Sequence, residues 1–138
     1  MKHTKHLIAL FLLMGFAVST YAGEKLDKRY EYTMQKLKLD KATAAKFGPI
    51  LRKYLEERKA AGDKYDVVKD KYKSNIKAGT LTDAQGKALM DAKLESETLE
   101  LAAKKKYYAE FKKVLKGNKI YQAFDYANDK KSKIEQGK

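Results

Sequence analysis

The side chains able to do chemistry in this sequence are carboxylates, lysines and tyrosines. Cysteine is absent, and both histidines, His3 and His6, stand among the first six residues. Ser74, Ser96 and Ser132 thus have no imidazole base in the body of the chain, which removes the Ser-His-Asp route to hydrolysis. Glu95, Glu97 and Glu100 could be read as a calcium or acid–base cluster, yet Lys93 and Lys104 stand four residues from Glu97 and Glu100, ordinary helix ion-pair spacing. The run Lys104, Lys105, Lys106 could hold an anion, but three consecutive helical residues point in three directions. What remains is contact chemistry. Tyr54, Tyr65, Tyr72 and Tyr108 offer apolar bodies with polar tips, and Arg58 interrupts an otherwise apolar series beside them. The expectation is a binding module with no catalytic residue, no cofactor and no metal site.

The elements that would carry these residues follow an amino-terminal export signal. Lys2 and Lys5 give a positive start, Leu7 to Val18 form an apolar run, and Thr20, Tyr21, Ala22 end in a small residue suited to cleavage. Such a run falls short of the about 20 apolar residues that span a bilayer. Residues 1–22 are therefore expected to be removed, and 23–138 to form one domain with one modest core. Both histidines leave with the signal. The formal net charge is +13, mostly outside that signal, which favours acidic or anionic partners. Nucleic acid is the usual partner of such a charge, but an exported chain does not normally meet it. With no cysteine, the fold must be held by packing alone.

One proline and eight glycines in 138 residues make a helix-rich composition, and the spacing predicts an all-α fold of four helical pieces. The first, about Glu24 to Lys36, repeats Leu26, Tyr30, Thr33, Met34 and Leu37 along one face. The second, about Asp40 to Ala78, carries Phe47, Leu51, Tyr54, Arg58, Ala61, Tyr65, Val68, Tyr72 and Ile76 at steps of three and four. Gly48 and Pro49 should kink it or restart it, and Gly79 should end it. The third opens on Leu81, Thr82, Asp83, Ala84, Gln85, where Thr82 and Gln85 can form a capping box. Leu94, Leu101, Tyr108 and Leu115 then recur every seven residues before Gly117, and a last helix runs from about Asn118 to Glu135. The tight turn at Gly79 and Thr80 should fold the long helices into an antiparallel hairpin whose facing residue numbers sum to about 160. Tyr65 then lies near Leu94, Arg58 near Leu101 and Lys104, and Tyr54 faces Lys105. A buried seam would not tolerate so much positive charge, so Tyr54, Arg58, Tyr65, Lys104 and Lys105 are expected to form a half-exposed client-binding surface. A long, thin hairpin cannot cover its own stripes. Short flanking helices or a second copy must do so, and an elongated homodimer is expected.

The segment Leu81-Thr82-Asp83-Ala84-Gln85 reads Leu-Thr-x-x-Gln, and with the export signal, basic charge, absent cysteine and long helices it resembles the Spy and CpxP family of periplasmic stress proteins. A partial second copy stands at Leu39, Asp40, Lys41, Ala42, Thr43; Asp40 can serve as the N-cap, but Thr43 cannot reach back as Gln does. The resemblance implies a cradle-shaped dimer of bent hairpins whose basic, partly apolar concave face holds unfolding proteins without ATP. The residues agree on chemistry, since no nucleotide-binding glycine motif is present. The leading expectation is a periplasmic ATP-independent holdase. A regulatory partner of an envelope sensor kinase is the second, and a binder of anionic envelope lipid or polysaccharide, resting on charge alone, the third.

Overall fold

A computed structural model describes residues 20–136, all in helices or their connections, with no strand among them. The segment read as an export signal lies outside the described residues, apart from the backbone of its last three, which opens the first helix. The helices are α1 (Thr20–Leu37), α2 (Lys41–Lys71), α3 (Lys73–Ala78), α4 (Asp83–Phe111), α5 (Gly117–Ala127) and α6 (Lys131–Glu135).

The helix ends obey local chemistry. Asp40 caps α2 by accepting the Thr43 amide at 2.8 Å, and the Thr43 hydroxyl donates to the other carboxylate oxygen, also at 2.8 Å. Those bonds hold the Asp40 carboxyl below its usual range. Gly79 turns left-handed at φ 67 after α3, and the Thr80 and Gly79 amides return to the Asn75 and Ile76 carbonyls, a Schellman ending. The predicted capping box opens α4: the Gln85 amide donates to Thr82 Oγ1 at 3.2 Å and the Thr82 amide to Gln85 Oε1 at 3.1 Å. Replacing Thr82 by Ala should lower the unfolding free energy by about 1 kcal/mol, read from the urea midpoint. An unchanged midpoint would mean that the cap adds nothing to α4.

Several boundaries differ from the sequence expectation, among them the last helix, expected as one piece from about Asn118 to Glu135 but interrupted at residues 128–130 between α5 and α6. No restart occurs at Pro49, and α2 is continuous through it. Gly48 is buried there because α1 crosses close by; a Cβ at that position would stand 2.5 Å from the Tyr30 hydroxyl. The break comes instead at Tyr72, whose φ of −106 and ψ of 15 separate α2 from α3. Gly117 does not stop α4, which ends at Phe111; a short turn follows and Gly117 becomes the first residue of α5.

Antiparallel packing of α2 on α4 has the expected register, pairing Phe47 with Phe111, Tyr54 with Tyr107 and Lys64 with Glu95. The core occupies only one end of that pair. Leu37, Phe47, Leu51, Tyr54, Leu55, Tyr107, Phe111 and Ile120 meet there, where α1 and α5 cover the long helices. Phe111 is its hub, with ring centroids 4.9 Å from both Phe47 and Phe124 and 5.9 Å from Tyr54. Beyond Ala61 and Ala103 the two helices continue as a bare hairpin about 25 Å long, estimated at 1.5 Å per residue. Its seam uses small residues, Ala61 on α2 and Ser96 and Ala103 on α4, with Leu89 nearer the turn.

Candidate functional site

The face of α4 turned away from α2 leaves apolar side chains in water. On α4, Leu94 is 54% exposed, Leu101 53%, Tyr108 48% and Met90 52%. Two series with the same seven-residue spacing thus run along one helix. Leu89, Ser96 and Ala103 are buried against α2, while Leu94, Leu101 and Tyr108 lie at least a quarter turn away, facing solvent. The larger side chains suggested the wrong series as the seam, because a close helix pair selects small residues rather than large ones. Only Leu115 of the predicted series is buried, and it lies in the turn after α4.

By helical spacing, Lys87, Lys104, Lys105 and Lys112 lie along the margins of the exposed stripe. Lys112 Nζ stands 4.5 Å from the centre of the Tyr108 ring, a cation–π contact at the basal end. Among the described residues Lys104 and Lys105 form no ion pair, whereas Lys106 reaches Glu57 of α2 at 2.6 Å. The stripe is therefore an apolar row, broken by Glu97 between Leu94 and Leu101, with basic edges.

The five residues expected to bind clients are not brought together. Tyr54 is wholly buried, edge-on to Phe111 and Phe124, and belongs to the core. Arg58 is half-buried and turned toward α5, where its Nη1 donates to the Ala127 carbonyl at 2.7 Å. The physical reason for both corrections is α5, which packs over this stretch of α2 and supplies the cover that a two-helix reading lacked. Tyr65 is partly exposed on α2 beneath Lys69, and Lys104 and Lys105 lie on α4. Of the five, only Lys104 and Lys105 flank the exposed stripe. Leu94 and Leu101 were legible in the sequence but assigned to the seam.

Two tyrosine–carboxylate pairs tie the helices at this end. The Tyr32 hydroxyl donates to Asp129 at 2.6 Å and the Tyr107 hydroxyl to Glu57 at 2.9 Å. Burial, reinforced by these bonds, pushes each phenol up to about 12. The same bonds hold the Asp129 carboxyl low; Glu57 is held low by Lys106 first and Tyr107 second. A raised phenol stabilises the fold fully below the unfolded value of about 10, and that stability is lost as pH rises toward 12. Base titration should thus show Tyr32 and Tyr107, together with the buried Tyr54, ionising only as the helical circular dichroism collapses. Ionisation of every tyrosine near pH 10 with helices intact would exclude these pairs as structural.

No family model, no curated protein and no solved structure matches this chain. Among the described residues no cluster of three metal-ligating side chains occurs, and no helix is long and apolar enough to cross a membrane.

Proposed function

We propose that the chain is an exported, non-catalytic, ATP-independent holdase that captures unfolded proteins carrying acidic and apolar segments. The observation that carries this reading is the exposed Met90, Leu94, Leu101, Tyr108 stripe between basic margins. Positive charge draws an acidic chain in over long range, and the stripe then offers many weak apolar contacts to it. Capture and release on such a surface need no nucleotide. The resemblance of Leu81, Thr82 and Gln85 and the long hairpin to the Spy and CpxP family points the same way and suggests action in the periplasm.

A second copy of the chain competes for this stripe. Antiparallel pairing of two α4 helices about Leu101 would set Leu94 against Tyr108 and bring Glu97 beside Lys105, matching apolar with apolar and acid with base. An elongated, cradle-like dimer would result. Light scattering of the purified chain, run beside aggregation of a chemically denatured acidic protein, separates the two. A monomer at working concentration that suppresses aggregation at near-stoichiometric ratio supports capture on the stripe. A dimer that dissociates when Leu101 is replaced by Lys assigns the stripe to self-association. No suppression at low or moderate salt removes the holdase reading.

A further inference from the structure

Where the bare hairpin meets the covered end, α1, α2 and α4 enclose a cleft of about 580 Å³. Leu26, Arg29, Leu55, Arg58, Gly62 and Glu100 are among its lining residues. Arg29 and Arg58 both donate to the Ala127 carbonyl, at 2.6 and 2.7 Å, so two like charges meet at one acceptor. Arg29 also reaches the Asp129 carbonyl at 2.9 Å. These carbonyls close the end of α5, and its dipole offsets part of the repulsion. A guanidinium has five N–H donors in one plane. All three of these bonds leave from Nη1 atoms, and among the described residues neither arginine has an ion pair. Among the described residues, the Nε and Nη2 atoms of both make no hydrogen bond.

A second polar group lies under the same spot. The Tyr54 hydroxyl is buried without a hydrogen-bond partner. The charged groups acting on it are Arg58, Glu100 and Arg29, all three on the cleft wall. Burial raises the phenol above its ordinary range, so it stays a neutral O–H donor. That hydroxyl is sealed from the cleft, but the two partly committed guanidinium groups are on its wall, and an anion with paired oxygens would satisfy both.

The walls narrow the class of anion. Leu26 and Leu55 offer apolar surface. The rest of the wall mixes charges: Lys25 and Lys59 line it with Glu100, Asp63 and Asp66; Asp63 is held by Lys59 at 2.6 Å and Asp66 by Lys69 at 3.7 Å, while Glu100 has no ion pair among the described residues. A second negative charge on the ligand would lie against Glu100, whereas an apolar body would lie on the leucines. We propose that this cleft binds a small monocarboxylate with an apolar body, its head group bridging Arg29 and Arg58. The site is separate from the α4 stripe and does not rest on the holdase reading.

Substituting either arginine would also uncap α5, so the informative changes lie elsewhere. Gly62 lines the cleft, and a Cβ there meets only Glu100 Oε1 at 3.5 Å, an ordinary contact. Gly62→Leu therefore fills the cleft while improving helix propensity. Octanoate, benzoate and inorganic phosphate are titrated into the full chain by calorimetry, and backbone amide shifts are mapped by NMR. Octanoate and benzoate should bind one per chain, with shifts centred on Arg29, Arg58 and Gly62, and phosphate at least tenfold more weakly. Gly62→Leu should lose at least tenfold in octanoate affinity. The proposal is overturned by shifts spread along the α4 stripe instead, by octanoate affinity unchanged in Gly62→Leu, or by phosphate binding as tightly as octanoate.

Discussion

Replacing Phe111 by Ala should lower the unfolding free energy by about 3–5 kcal/mol, the range for a fully buried aromatic. The ring has no exposure and touches Phe47 and Tyr54 of α2 and Phe124 of α5. Those neighbours are planar and come from two separate helices, so they cannot all move inward to fill the space left by the ring. A cavity persists, and the edge-to-face contacts disappear with it. Small domains are stable by only about 5–15 kcal/mol, so the variant should be close to unfolding at ordinary temperature. Urea denaturation followed by circular dichroism measures the loss. A loss below about 1 kcal/mol would mean that this aromatic group is not the centre of the core.

Replacing Leu94, Leu101 and Tyr108 together by Ser should act in the opposite sense on the two observables. Each side chain is about half exposed, and surface changes of that kind usually stay within about 0.5 kcal/mol. The thermal midpoint should therefore move little. Aggregation suppression should fall at least tenfold, because the apolar contacts that hold a captured client all lie on this stripe. Charge reversal at Lys104 and Lys105, which leaves the stripe intact, should slow capture of an acidic client and make its rate less sensitive to salt. If the Ser variant suppresses aggregation as well as the parent while keeping its midpoint, clients bind elsewhere and the proposed surface is wrong. Arg58 is not a fit target for that test, since its reversal would place a carboxylate against the Ala127 carbonyl.

The two experiments separate two kinds of apolar residue that look alike in a sequence. Leu101 and Leu51 sit at similar positions in similar repeats, yet one is half in water and the other has no exposure. On α2 the repeat was read correctly from Phe47 to Ala61 because its large residues are also its buried ones. On α4, apolar residues lie on more than one face, so the spacing alone admitted two stripes. The larger one was chosen, and it faces solvent.

What the sequence determined by itself was the local and the periodic. The all-helical composition, the Asp40 and Thr82 caps, the left-handed Gly79 turn and the register of α2 on α4 all depend on residues within a few positions of one another or on one short turn. Which face of α4 would be covered depended on how closely α2 approaches, and small side chains at Ala61, Ser96 and Ala103 set that distance without announcing it in a hydrophobic pattern. Nor could spacing reveal that Ala127, nearly 70 residues from Arg58 and nearly 100 from Arg29, would draw both guanidinium groups to one carbonyl. Only the tertiary structure decided that, because a helix end satisfies its last carbonyls with whatever donors packing brings within reach. The same packing of α5 turned Tyr54 from an expected surface residue into part of the core.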